Sequence, residues 1–388
     1  MVANARLDAV AGDAIVRRRL RTQRLAGAGF ATPEDVVGWL GAVQAQDYGP
    51  AKWAVGMRQR RASDAAVERA FADGRILRTH VLRPTWHFVL PADIRWLLTA
   101  TAPRIQAGNA GRYRQLGLDA GTLRRGEKLL AGALRSGEQL TRKELADVLT
   151  RGGVDVRDQR LAHLLMYAEL NAVICSGARR GLQHTYALLE DRAPDARDLR
   201  PDEALAKLAR RYFSSHGPAT AKDFAMWASL TLAEVKASVE AAGSSLRREE
   251  IDGVPFWRAA DGERRAPALK SPSVRLLQGY DEYIMGYTET KHVLARPGTA
   301  WSPATPPVFA LVILLDGRGA GFWRRTITKG TVVIEAALTE AFDAAQLCVL
   351  EDEAARYGDF LGLAATLVLI SPEKSRTTLH ESGEDEHD

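Results

Sequence analysis

Three times along this chain, helix-start signals are followed by a pair of extended runs, and that repetition constrains the fold more than any composition does. Thr32-Pro33-Glu34-Asp35 opens the first round, with a hydroxyl at the N-cap, proline at the first helical position and acids in the first turn. It predicts a helix to about Ala42 that buries Val36, Val37, Trp39 and Leu40. An Arg-rich helical stretch, about Ala14 to Leu25, precedes it, and another helix runs from Ser63–Asp64 to Asp73–Gly74. Two extended runs follow, Ile76–Leu82 and Thr85–Leu90, separated by Arg83–Pro84. In the second round Thr141-Arg-Lys-Glu144 is a capping box, and its helix ends at Gly152–Gly153. A helix over Val156–Leu170 presents Leu161, Leu164, Leu165 and Ala168 at helical spacing. Ala172–Ser176 and Leu182–Leu188 then flank a turn at Gly177–Gly181. In the third, Thr220–Asp223 and Thr231–Glu234 start short helices with Ser229-Leu230 between them. Leu246–Ile251 and Val254–Arg258 then pair about Asp252–Gly253, a favoured two-residue turn.

Helices followed by a β-hairpin are the ingredients of a winged helix. The expected fold is therefore α+β, with three tandem winged-helix units over 1–125, 126–195 and 196–265. Beyond Pro267 the texture changes to strands, at Val274–Leu277, Phe309–Leu315, Ala320–Thr326 and Val332–Ala336, with a last helix over Thr339–Tyr357. This part, 266–370, reads as a mixed β/α cap on the third unit, interrupted by Pro-rich Arg296–Pro307. The end, 371–388, holds six acidic and two basic residues and reads as a solvated, disordered tail that folding does not need.

Of the 388 residues 46% are hydrophobic and 26% charged, enough to bury a core in each of several domains. No run approaches the ~18 consecutive apolar residues of a membrane span, and no secretory segment opens the chain. Two cysteines, Cys175 and Cys348, argue against a disulfide framework and place the protein in a reducing cytoplasm. The formal charge is +5, unevenly spread, because residues 1–61 carry ten basic and five acidic side chains. A basic body calls for a polyanionic partner.

Most catalytic signatures are missing: there is no P-loop, no G-x-S-x-G elbow, no H-E-x-x-H and no paired C-x-x-C. Gly317-Arg-Gly319-Ala-Gly321 lies between two strand-like runs and reads as a hairpin turn rather than a phosphate cradle. His80 and His87 stand seven apart without a third clustered ligand, so neither a metal nor a cofactor is expected. Gln44-Ala45-Gln46-Asp47-Tyr48 is the unusual segment. Extended, it points Gln44 and Gln46 to one side, and Pro50 disfavours a continuing helix. Two amides so placed either satisfy local backbone groups or form a site. Asp47, on the opposite side, reads as a cap.

Five blocks together resemble one bacterial family. They are Gly41-Ala-Val-Gln-Ala-Gln-Asp47, Leu82-Arg-Pro-Thr-Trp-His-Phe-Val89, His216-Gly-Pro-Ala-Thr-Ala-Lys-Asp-Phe224, Gly279-Tyr-Asp-Glu-Tyr-Ile-Met-Gly-Tyr287, and Asp316-Gly-Arg318 with Trp323-Arg-Arg325. The family is the winged-helix DNA glycosylases that unhook interstrand crosslinks and excise bulky N7-alkylguanine adducts. The resemblance implies a concave basic surface for duplex DNA, a monomer, and a catalytic motif of glutamine, an apolar residue, then glutamine or aspartate. Here the motif positions are Gln44, Ala45 and Gln46, as in the glutamine–glutamine branch associated with toxin self-resistance. A monofunctional enzyme is expected, since no lysine is placed beside the motif.

Charge and turn geometry nominate Arg17, Arg18, Arg19, Arg58, Arg60, Arg61, Arg179 and Arg180 for DNA phosphates. Arg83 at a wing turn and Arg318 on a hairpin tip are placed to reach a groove, and His87 to wall the lesion or fill the core. The competing reading is a winged-helix transcription regulator without catalysis. The third unit's second helix, Leu232–Ala242, has Lys236 as its one basic residue, a poor base-reading surface.

Overall fold

The computed structural model describes residues 7–261, 269–296 and 311–371. The acidic tail from 372 and most of the Pro-rich segment, with the start of the strand expected at Phe309, lie outside the described residues.

Helix α1 (Ala9–Thr22) is capped by Asp8, and α2 (Pro33–Leu40) by the reciprocal Thr32–Asp35 box. Gly41 ends α2 with φ +86°, and a Cβ there would stand 2.8 Å from Arg211 Cγ. Only glycine makes that turn cheaply. The chain leaves it directly into strand β1 (Val43–Gln44), then α3 (Tyr48–Gly56) and α4 (Asp64–Ala72). Strands β2 (Leu77–His80) and β3 (Trp86–Val89) complete a three-stranded sheet of order β1-β3-β2. Pro50 does not prevent α3. It sits in the first turn, where a helix has no use for its N–H.

Two helices that the sequence patterns did not reveal come next, α5 (Pro91–Gln115), with Pro103 inside it, and α6 (Ala120–Ala133). Strand β4 (Leu140–Thr141), α7 (Arg142–Arg151), α8 (Arg160–Leu170), β5 (Ile174–Ser176) and β6 (Thr185–Leu188) form the second round, with sheet order β4-β6-β5. After α9 (Leu189–Arg192) the third round holds α10 (Pro201–Ser215), α11 (Ala221–Ala228), α12 (Leu232–Ala242) and the hairpin β7 (Leu246–Ile251)–β8 (Val254–Ala259). Strand β9 (Val274–Leu277), α13 (Glu282–Met285), β10 (Leu311–Leu315), β11 (Arg318–Thr328), β12 (Thr331–Leu338), α14 (Ala344–Leu361) and β13 (Ala364–Leu369) follow. Their five-stranded sheet has the order β13-β12-β11-β10-β9, antiparallel except for the β12–β13 pair.

This last sheet is not simply a cap on the third round. Its inner face shares one apolar core with α1–α4: Trp53 of α3 and Trp323 of β11 are both buried, and their indoles donate to Leu276 O and Leu277 O at 2.7 and 2.8 Å. Burying one face against sequence-distant elements is what gives such a sheet its stability. No described helix is long and apolar enough to cross a membrane.

Candidate active site

The β1–β3 pair carries the glutamine motif. Gln44 lies opposite His87, and the ladder continues when Ala45 N donates to Trp86 O at 2.7 Å. The extended backbone expected for Gln44-Ala45-Gln46 is present as far as Ala45, and Gln46 stands at the bend that follows; both amide oxygens nonetheless face the β2–β3 connection and the start of β3. Arg83 Nη2 donates to Gln44 Oε1 at 2.8 Å, and Trp86 N donates to Gln46 Oε1 at 3.4 Å. Gln44 is 2% exposed while Gln46 is half-buried. Asp47 stands at the N-cap of α3 but makes no capping bond with its side chain, contrary to the role expected of it.

Beneath Gln44 lies Glu282, the first residue of α13, with no solvent exposure. One of its carboxylate oxygens accepts from Gln44 N at 3.1 Å, the other from Trp227 Nε1 at 2.7 Å, with His216 Nε2 at 3.4 Å. Burial alone would raise the Glu282 pKa, but His216 close by and the charge of Arg83 hold it down at about 2. It is a carboxylate, sealed from water.

Arg83 does not reach outward. Its second amine donates to Trp227 O at 3.0 Å, so the β2–β3 connection is folded inward over the motif. His87 is fully buried. Its Nδ1 faces Thr85 O at 2.9 Å and its Nε2 faces Arg83 Nη2 at 3.2 Å. A guanidinium can only donate, so Nδ1 carries the proton and Nε2 accepts. Burial, with Arg83 alongside, pushes the His87 pKa down to about 3, leaving the ring neutral.

Three further arginines expected on DNA are structural. Arg19 is fully buried, donating to Pro218 O and Thr290 Oγ1 with Asp223 at 3.8 Å. Arg58 is fully buried in a two-pronged pair with Asp281 at 2.7 and 2.8 Å. Arg318 faces α1 and binds Asp13 and Ala295 O, because the Asp316–Gly317 turn is tucked in rather than projecting. Arg179 is mostly covered by Glu68, Leu182 O and the ring of Tyr48. Arg18 pairs with Glu249 and Arg180 with Glu144, both at the surface, while Arg17, Arg60 and Arg61 are exposed. An arginine count near a motif says nothing about direction; buried partners decide it.

The residues missed from sequence are those that tie the motif to the rest of the chain. Glu282, Trp227 and His216 meet it from 238 residues away or less. Tyr48, directly after the motif, stacks edge-on with His184 at 4.7 Å. Lys52, a turn further along α3, is taken up by Asp64 and Glu68 at 2.8 Å each. Glu282 lay inside a recognisable block, but nothing in its spacing linked it to Gln44.

Residues 37–360 match the family described as "DNA glycosylase AlkZ-like". The chain belongs to that family. It is also 28% identical over 320 residues to a Streptomyces sahachiroi protein named "Interstrand DNA cross-link repair glycosylase", covering 79% of this chain and 85% of the relative. Its fold is that of the solved Streptomyces sahachiroi DNA glycosylase AlkZ, with a TM-score of 0.74 at 24% identity over 92% of this chain and 99% of the other. Gln44, Glu282 and Arg83 all fall within the part of this AlkZ-like chain that matches the family. It is a DNA glycosylase.

Proposed function

We propose that this glycosylase hydrolyses the N-glycosidic bond of N7-alkylated guanine in duplex DNA, whether a bulky natural-product adduct or one arm of an interstrand crosslink. The name of the Streptomyces sahachiroi relative favours the crosslink. The observation that carries the reading is the makeup of the motif: two neutral amides in the open strand, and behind them a carboxylate that is sealed and already charged.

Such a site has no general acid to protonate a leaving base, and N7-alkylguanine needs none. The C1′–N9 bond breaks, its electron pair returns to the cationic purine, and the base departs neutral. Water then forms the new C1′–O bond and releases its proton to solvent, while an amide dipole favours the oxocarbenium-like sugar. Lys52, the lysine nearest the motif in sequence, is held by two carboxylates rather than poised for Schiff-base cleavage of the product, so an abasic site remains.

The three helix-and-hairpin rounds serve in this reading as tandem winged helices around a concave face, with Arg17, Arg60 and Arg180 among the phosphate contacts and the protein acting as a monomer. The β11–β12 hairpin extends past the motif region: Arg325 passes 3.8 Å from where a Gly49 side chain would begin, and exposed Ile327 lies beyond it. A regulator would not need amides fastened at their oxygens. Incubation with duplex DNA carrying N7-methylguanine, followed by scoring of free base and of alkali-labile abasic sites, tests the proposal. Binding without release favours the regulator.

A further inference from the structure

The two glutamines are held unequally, and the difference assigns them different work. A guanidinium has five donors and no acceptor, so the Gln44 atom that faces Arg83 must be its carbonyl oxygen. Its Nε2 is then turned away from Arg83, has no acceptor among the described residues and is not sealed from solvent. The bond is charge-assisted at 2.8 Å, and Gln44's own backbone is pinned from below by Glu282. Gln46 is held at its oxygen only by a neutral backbone N–H at 3.4 Å, a bond near the limit of what counts as one. Each oxygen keeps a second lone pair, but that of Gln44 is bound to a charged donor at 2.8 Å while that of Gln46 is only weakly engaged and is the freer acceptor for water.

We propose that Arg83, backed by Glu282, is a positioning residue that locks Gln44 as a hydrogen-bond donor to the departing nucleotide, leaving Gln46 alone as the acceptor that orients water. This rests on the glycosylase reading of the site. The donor serves an acceptor on the purine edge, which gains electron density as C1′–N9 breaks. The role differs from the groove contact expected for Arg83, since its two amines are spent on Gln44 and on Trp227 O. Charge supports the geometry: Glu282 lies close enough to compensate Arg83, so the guanidinium can stay under the motif without setting a bare cation beside the developing one.

The assignment makes the two positions respond differently to the same change. Glutamate in place of glutamine keeps the accepting oxygen and replaces the –NH2 donor with a second, charged acceptor. Gln44→Glu, still able to pair with Arg83, is expected to slow single-turnover release of N7-methylguanine by ~100-fold, the usual effect of deleting one such donor. Gln46→Glu keeps an acceptor for water and adds a base, and is expected to stay within ~10-fold of the parent. Single-turnover rates at saturating protein keep the affinity cost of the added charge, common to both variants, out of the comparison. Because Arg83 acts through Gln44, Arg83→Met should slow the parent by ~10–100-fold but add little to Gln44→Ala, and Arg83→Lys should recover part of the loss. Melting temperatures recorded on every variant separate this from unfolding. Equal losses in the two glutamate variants, or additive losses for Arg83→Met and Gln44→Ala, overturn the assignment while the parent stays active. A parent that releases no N7-methylguanine overturns it together with the proposed function.

Discussion

The guanidinium of Arg179 sits over the ring of Tyr48, 4.9 Å from its centroid, and fastens the β5–β6 turn to the residue that follows Gln44-Ala45-Gln46-Asp47. Glu68 pairs with the same arginine at 3.4 Å and with Lys52 at 2.8 Å. Two segments about 130 residues apart in sequence are therefore clamped at the start of α3, where the motif ends.

Arg179 and its neighbour Arg180 should consequently behave differently. Arg179→Ala removes a largely desolvated cation–π contact and is expected to destabilise the fold by about 1–2 kcal/mol in urea melts while leaving the salt dependence of DNA binding alone. Arg180 is exposed, and Arg180→Ala should instead lower the slope of log K against log[salt] by about one if it meets a phosphate. Interchanged results would place Arg179 on the DNA.

The Arg58–Asp281 pair predicts a purely structural failure. Both side chains are fully buried, so Asp281→Asn strands a cation that Gln23 and Ala54 only partly satisfy. A loss of about 3–5 kcal/mol is expected by chemical denaturation. An Asp281→Asn protein that melts like the parent but binds DNA weakly would return Arg58 to the interface.

Gln44→Ala and Gln46→Ala should each slow base release by ~100–1,000-fold, with thermal stability and DNA affinity close to the parent's. Stopped assays on N7-methylguanine duplexes measure this directly. Should both variants release base at the parent rate, the pair serves only to satisfy Arg83 and the β3 backbone.

Stability should fall on acidification in two stages. His87 and His184 are each pushed down to about 3, chiefly by burial, so the unfolded chain takes up their protons first, as pH drops below about 6.5. Glu282 is held down near 2 against a free value of 4.5, so its contribution is present above 4.5 and drains away as pH falls from there toward 2. Melting temperatures across this range should decline throughout, and His184→Gln should flatten the upper part. A melting temperature unchanged between pH 7 and 5 would mean these rings are hydrated in solution.

Local chemistry wrote the local structure. Reciprocal capping at Thr32, Thr141, Thr220 and Thr231, the Asp252–Gly253 turn and the extended backbone from Gln44 to Ala45 are present where side-chain oxygens, turn residues and spacing put them, while Gln46 turns away at a bend. Those signals act over three or four residues and need no partner from elsewhere. Helix α10 carries such signals too, Pro201 at its first position with Asp202 and Glu203 in its first turn, whereas α5, with Pro103 inside it, is held by burial against distant elements. The same limit governs the site. That Gln44 and Gln46 form a candidate site could be read from the blocks around them. Which atom of Gln44 faces outward could not, because Arg83 reaches it across the hairpin and Glu282 from the far end of the chain. Nor could the fate of the arginines: Arg19, Arg58 and Arg83 look in sequence like any surface cation, and only the carboxylates and carbonyls brought beside them by the fold, where desolvation demands a partner, turn them inward.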